Sequence, residues 1–443
     1  MLPLLLITIL SIYVFLCIKY MVVKGHDLHA LAFFTLYIYT IFAQIGYVFF
    51  PELSKLYNAY FGEKLFYEYW FFMFLSFFFT FQLYKKINRK KYNRIIYNVK
   101  SLQFKYGYYI FSILSVILYI VLNTYFIRFR NLFGYGGGTP MGGPWFGIGF
   151  WMLTIINIIT YTLFRDKSNY LKKRFFSFIF FLISTYFFIN VTVASGVRST
   201  ILYYFLSIIF YELYPFIKSI RHYRYKIGVI IFCSIFVLFT LNILRTVRSM
   251  GVQINISTLM EYKSSDSLNL QRSKGLAATI LLQDYYVPSH TLFISMHYDI
   301  VDPIEVLKSN LANSLIKLDY PFLTYTITER VTGSKEERGA GWAYHYFVEG
   351  YNAAGFLGIF YNALFWNLGM IFWIQLTRSN NKKHNRFMLS ISVLIIMLVM
   401  RSQTSAFIQF YWLILLPGLV LSLMANNSSI AFIKYKKDHL SNE

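Results

Sequence analysis

Cysteine and acid are the scarce ingredients of this chain. Only two cysteines occur in 443 residues, Cys17 and Cys233, and both sit inside apolar runs. That pattern excludes a disulfide framework, and no Cys/His spacing resembles a metal site. Asp and Glu number 19 against 42 Lys and Arg, and charged residues of both signs make up only 14% of the chain. So few charges leave a soluble protein of this length without enough polar surface. Soluble-enzyme signatures are missing as well: there is no His-Glu-x-x-His, no Walker sequence and no Gly-x-Ser-x-Gly. Nor is there an Asp-x-Asp of the kind that holds a metal and a nucleotide sugar.

What is abundant is hydrocarbon. Hydrophobic residues make up 57% of the chain and aromatic residues 21%, with a mean hydropathy of +0.49. They fall in runs near the ~20 residues that cross a bilayer as a helix. The expectation is an all-α polytopic membrane protein, a single membrane domain over 1–443. About eleven spans are expected, at 2–23, 28–50, 65–84, 107–127, 144–164, 175–194, 200–217, 227–244, 346–376, 387–400 and 404–424. The apolar start, Leu2 to Val23, is followed by Lys24-Gly25-His26 without a small-residue cleavage site, so it is expected to be a span and not a cleaved signal peptide.

A net charge of +23 on a soluble protein would suggest nucleic acid. Here the cations cluster in short segments between apolar runs, so no nucleic-acid partner is expected. One set of loops holds Lys19 and Lys24, the stretch from Lys85 to Lys105, Arg165 to Arg174, Lys218 to Lys226, Arg378 to Arg386, and Lys434 to Lys437. The positive-inside rule puts this set in the cytoplasm. The N-terminus is then outside and the C-terminus inside, as an odd number of spans requires.

One large external segment, 249–345, is expected between spans eight and nine, nearly neutral in charge. Within it Leu276 to Leu282 and Ile304 to Leu318 look helical and amphipathic. Connections this long are functional or disordered, and its apolar content argues against disorder. A second external segment, Gly134 to Pro144, is Gly-rich but lacks the Lys-Ser/Thr ending of a nucleotide loop; a flexible gate or a close helix approach suits it better.

Four arginines run against the topology bias. Arg198, Arg245, Arg248 and Arg401 fall at external span ends. Singly, each can snorkel to lipid headgroups. Together at one depth they can share an anion, because the planar guanidinium fork matches a pyrophosphate and stays charged. His290, in the Gln283 to Thr291 stretch, carries the side chain whose ordinary pKa suits a proton acceptor near neutrality. It can equally be a packed loop histidine. Asp284 can orient a histidine or serve as a surface cap. In the run Gly339 to Gly355, His345 and Glu349 are four apart and share a face if the run is helical. A carboxylate at the start of a membrane span needs a partner or water, so Glu349 either holds His345 or an arginine, or takes part directly.

At these residues the chain resembles the Wzy family, the polymerases of lipid-linked oligosaccharide repeat units that build O-antigen and capsule. Three places carry the resemblance: Ser195-Gly196-Val197-Arg198-Ser199, the Asp284 to His290 stretch with Pro288, and the Gly339 to Gly355 run. It covers about half the chain, from Val193 to Phe407.

The resemblance implies a GT-C-like glycosyltransferase of the bacterial cytoplasmic (inner) membrane, its active site facing the periplasm and needing no metal or cofactor. A glycan on undecaprenyl pyrophosphate would be the donor. The terminal sugar of a second lipid-linked unit would be the acceptor. In that scheme Arg198, Arg245, Arg248 and Arg401 bind pyrophosphate, and His290 is the base. Asp284, His345, Glu349, Tyr285 and Trp342 bind or orient sugar. Membrane lipids, a chain-length regulator and a flippase are the implied partners. Two alternatives stay open: an O-antigen ligase of the same superfamily, and a non-enzymatic flippase of lipid-linked oligosaccharides.

Overall fold

The protein is described by a computed structural model over residues 2–42, 44, 51–89, 96–101, 117, 121, 143–165, 171–195, 204–212, 289, 291–314, 323, 327, 345–377, 382–400, 402–425 and 428–433. Helix dominates. The elements are α1 (Leu2–Val23), α2 (Asp27–Tyr37, running into a π turn at Ile38–Phe42) and α3 (Pro51–Arg89). Then come β1 (Ile96–Ser101), α4 (Gly143–Arg165) and α5 (Leu171–Ser195). After helical stretches at 204–212 and 291–297 follow α6 (Pro303–Ser314), α7 (Tyr346–Ala354), a 3₁₀ turn at Gly355–Leu357 and α8 (Gly358–Thr377). The chain closes with α9 (Lys382–Val399), α10 (Ser405–Phe410), a π turn at Tyr411–Leu415, α11 (Leu416–Ala425) and β2 (Ser428–Ile433). The helical architecture agrees with the all-α expectation; beside the helices, β1 and β2 pair antiparallel with Ile96 opposite Ile433 and Ser101 opposite Ser428.

The fold is compatible with a helical membrane protein. Among the described residues, two apolar helical stretches reach span length, Leu4–Val23 (20 residues) and Tyr346–Ile374 (29 residues). Shorter apolar helices lie at Asp27–Phe42, Trp151–Arg165, Arg174–Tyr186, Arg386–Val399 and Ser405–Leu421. Helix α1 is apolar all round, which means burial or lipid. Its Ile7, Leu10, Val14, Cys17 and Met21 are buried, while Leu5, Ile9, Ile12 and Leu16 on the other side are about half exposed.

The second long stretch is not one crossing. In a continuous helix Phe347 and Asn362 would stand about 22 Å apart. Instead the Asn362 amide donates to the Phe347 carbonyl at 3.1 Å. Gly350 meets Gly358 so closely that a Cβ on Gly358 would lie 1.8 Å from the Gly350 oxygen. The chain therefore reverses between Ala354 and Gly358, and α7 and α8 form a tight helical hairpin. Gly355 turns the corner at φ 57°, ψ −134°, a region open to glycine and costly for L side chains. The ninth expected span, 346–376, is long enough to begin outside the hydrocarbon, and the reversal leaves α8, 20 residues long, as its part of spanning length.

The chain forms two compact units. The first holds Met1–Lys91, Ile254–Phe372 and Ile396–Gln409. Its core is aromatic: Phe33 packs on Phe77 and Trp366, and Phe77 packs edge-on to Phe347. At one end the α1–α2 turn meets the end of α3, with His26 Nδ1 2.6 Å from the Tyr84 hydroxyl and the Lys85 ammonium over the Tyr20 ring. At the other end Tyr69 of α3 donates to the Thr40 carbonyl and stacks on Phe293, and Gln44 donates to Ser289 at 2.8 Å.

The second unit holds Tyr92–Gln253, Trp373–Ile395 and Phe410–Glu443. There Asn157 on α4 accepts from Tyr204 at 2.8 Å and from Thr185 on α5 at 3.2 Å. Glu212 accepts two hydrogen bonds from Arg165 at 2.5 and 2.9 Å and one from Tyr161 at 2.8 Å. Arg386 lies 3.9 Å from the same carboxylate and 3.9 Å above the Tyr211 ring. The end of α4, the end of 204–212 and the start of α9 therefore meet at one place.

Candidate functional site

The polar centre of the first unit is Glu349, fully buried in the first turn of α7. Its Oε1 accepts from Asn310 Nδ2 of α6 and from the Tyr361 hydroxyl of α8, each at 2.5 Å. Its Oε2 accepts from the Thr404 backbone N–H at 2.5 Å. These partners are neutral donors, and hydrogen bonds to a carboxylate are about twice as strong as neutral ones. Asn310 is held in turn, because its Oδ1 accepts from the Ser405 N–H at 2.8 Å. The Thr404 hydroxyl lies 3.2 Å from that of Tyr346 and 3.4 Å from that of Tyr361.

A second amide sews the same turn down. Gln403, buried, donates to Ser405 Oγ at 2.6 Å and to the Ser309 carbonyl at 3.3 Å. Its Oε1 accepts from Ser309 Oγ and from the Leu323 N–H, both at 3.2 Å. The Tyr346 N–H donates to the Met400 carbonyl at 3.0 Å. Asp302 caps α6, its Oδ1 accepting from the Glu305 N–H at 2.9 Å, while the Asp302 N–H donates to the Asn352 carbonyl at 2.8 Å. The 402–405 turn, α6, α7 and α8 are thus one hydrogen-bonded assembly centred on a carboxylate.

His345 stands just before α7 in an extended conformation, φ −96°, ψ 160°. It is fully buried, and neither ring nitrogen has a hydrogen-bond partner among the described residues. Burial favours the neutral imidazole and lowers its pKa to about 3. Of the roles expected for Glu349, holding His345 is not the one seen: His345 lies before α7 in extended backbone, and the carboxylate bonds Asn310, Tyr361 and Thr404. Asn352, three residues beyond Glu349, is also buried with an unpartnered amide among the described residues.

The other expected site residues, Arg198, Arg245, Arg248, Arg401, His290, Asp284, Tyr285 and Trp342, lie outside the described residues. Their neighbours in sequence are informative in two places. Ser289 and Thr291 are buried in the first unit, and Arg401 directly precedes the turn that Glu349 and Gln403 pin. Asn310, Tyr361, Gln403 and Thr404 were missed in the sequence. The one signal for them was Ser402-Gln403-Thr404-Ser405, a polar run between two apolar ones. No group of His, Cys, Asp and Glu able to hold a metal ion occurs among the described residues.

No family model, curated protein or solved structure matches this chain.

Proposed function

We propose that this protein is a polymerase of lipid-linked oligosaccharide repeat units in the bacterial inner membrane. The glycan moves from undecaprenyl pyrophosphate to the terminal sugar of a second lipid-linked unit. The observation that carries this reading is the Glu349 assembly. It is an enclosed polar centre that joins α6, from the expected external segment, and α7 to the turn following Arg401. A substrate that is part hydrocarbon and part sugar needs such a centre beside apolar helices.

Two further features support the membrane part. Exposed apolar stripes run along α1 (Leu5, Ile9, Ile12, Leu16) and α8 (Phe360, Leu364, Leu368). In water each such half-exposed side chain forgoes about 1 kcal/mol of burial, whereas lipid removes the penalty. The contacts between helix ends also suit the charge-derived orientation with eleven spans. In the first unit, His26, Tyr84 and Lys85 meet at ends expected to be cytoplasmic, and Gln44 and Ser289 at ends expected to be external. In the second, Arg165, Glu212 and Arg386 gather expected cytoplasmic ends, and β1 pairs with β2 between two expected cytoplasmic segments.

In the reaction the acceptor hydroxyl oxygen bonds to the anomeric carbon of the donor. The anomeric C–O bond to pyrophosphate breaks, and undecaprenyl pyrophosphate leaves with the electron pair. His290 takes the hydroxyl proton. Arg198, Arg245, Arg248 and Arg401 stabilise the charge that grows on the leaving group. Glu349 holds the walls of the sugar site in register.

Purified protein in detergent, given lipid-linked repeat units alone, is expected to produce a ladder of longer glycans. Absence of any lengthening sinks the proposal. His290→Ala is expected to slow laddering by roughly 10²–10⁴-fold and Arg198→Ala by roughly 10²–10³-fold. In cells lacking the chain, single repeat units capped on lipid A fit a polymerase, and the absence of any capped glycan fits a ligase.

A further inference from the structure

Helix α6 is amphipathic in the wrong sense for a helix bathed in water. Its polar Ser309 and Asn310 turn inward, to Gln403 and Glu349. Its apolar Ile304, Leu307 and Leu311 turn outward and are 65%, 59% and 66% exposed. These three share a face, being three and four residues apart. The buried side is small and partly polar, formed by Val306, Ser309 and Ala312. A helix in an aqueous loop places these residues the other way round.

The direction of α6 follows from its tethers. Asp302 at its start is bonded to Asn352, near the far end of α7, and Val301 is the neighbour of Gly355 at the hairpin corner. Further along, Asn310 is bonded to Glu349 and Ser405. So α6 starts at the corner of the hairpin and runs antiparallel to α7, alongside α8. At the corner Phe356 and Leu357 are exposed, and on α8 Phe360 and Leu364 continue the exposed apolar surface. The α6 face and the α8 face are thus successive parts of one apolar exterior.

We propose that α6 is inserted in the outer half of the bilayer, with Ile304, Leu307 and Leu311 in contact with the acyl chains of membrane lipids. It rests on the membrane reading and orientation given under the proposed function. The occupant of this face is lipid because the face adjoins the exposed stripe of a spanning-length helix. Lys308, exposed between Leu307 and Leu311, fits the same placement. Helical side chains lean toward the N-terminus, which here is the end at the hairpin corner, so its ammonium reaches up to the headgroups while its stem covers hydrocarbon. The long segment between the eighth and ninth spans is then in part a membrane element: α6 and α7 dip into the bilayer together, their polar groups facing each other and the 402–405 turn. Irregular or short helical segments at this depth are tolerated where protein covers their polar groups, and α7 is buried from Tyr346 to Ala353.

The test is site-directed spin labelling of the full chain in lipid nanodiscs, with Cys17 and Cys233 replaced by serine. Nitroxides are attached singly at Ile304→Cys, Leu307→Cys, Leu311→Cys and, as reference, Phe360→Cys. Collision with oxygen, which concentrates in hydrocarbon, is compared with collision with a water-soluble nickel chelate. The expected result is oxygen dominance at all four sites, with the oxygen-to-nickel ratio rising from 304 to 311 as α6 descends. Nickel dominance at 307 and 311 with oxygen dominance at 360 overturns the placement of α6 alone. Nickel dominance at 360 as well overturns the membrane reading with it. Protection from both reagents at 307 and 311 means that protein covers the face, which also overturns the proposal.

Discussion

At the scale of single residues, the buried groups divide into those the fold satisfies and those it leaves alone. Glu349 has three donors, whereas His345, four residues earlier, has none among the described residues. The consequence for pH is direct. The imidazole is held near 3 in the folded protein, against about 6.5 in an unfolded chain. Above pH 7 both states are neutral, and His345 contributes no pH dependence. As pH falls through 6.5 the unfolded chain binds a proton that the folded one refuses, so stability is lost, by about 2 kcal/mol at pH 5. Melting temperatures of the purified protein between pH 7.5 and 5 are expected to fall, and His345→Gln is expected to flatten this part of the decline. An identical slope in the variant would show that the histidine is not held neutral.

At the scale of elements, the hairpin at Gly355 organises everything near Glu349. It brings Tyr361 to a carboxylate twelve positions earlier. The α7–α8 contact depends on missing side chains: a Cβ on Gly358 meets the backbone of Gly350, which cannot swing aside. Gly358→Ala is expected to cost about 1–3 kcal/mol or more through this overlap, read as a lowered melting temperature in detergent. Gly25→Ala makes a control with strain but no clash, since Gly25 has φ +71° and nothing within 4 Å of the added atom; its cost is expected at about 1–2 kcal/mol. An equal fall for both would mean that the close approach contributes nothing. Hydropathy located helices such as α1 and α4 closely because each is one long apolar run followed by a cation, Lys24 or Arg165. It missed the hairpin for the same reason: a sum along the chain carries no direction, and α7 and α8 are both apolar. Glycines 350, 355 and 358 were the only hint. Among the described residues the candidate site was legible at Glu349 and His345, where a charge and an imidazole break an apolar run. Asn310 and Thr404 stayed hidden because they reach Glu349 across 39 and 55 positions and look like ordinary polar residues.

At the scale of the whole molecule, orientation is the claim with the most reach. A reporter fused after Glu443 reads it: alkaline phosphatase, which needs the periplasm, is expected to be inactive there, and a green fluorescent protein is expected to be bright. The opposite pair of results would reverse the charge-derived topology and move the Glu349 assembly to the cytoplasmic side. The order of segments also sets a timetable. The first unit is drawn from Met1–Lys91, Ile254–Phe372 and Ile396–Gln409. Gln44 takes its partner from position 289, and Thr35 is within hydrogen-bonding reach of Met397. At a ribosomal pace of about 5–20 residues per second, the interval between its first and last pieces is on the order of 15 to 60 seconds. On the membrane reading, the helices of Met1–Lys91 wait half assembled until the segment Ile396–Gln409 has been made. A nascent chain halted after α5 would carry α1, α2 and α3 without Phe347 and Trp366, the core partners that α2 and α3 take from later segments, and would be an open target for quality-control proteases.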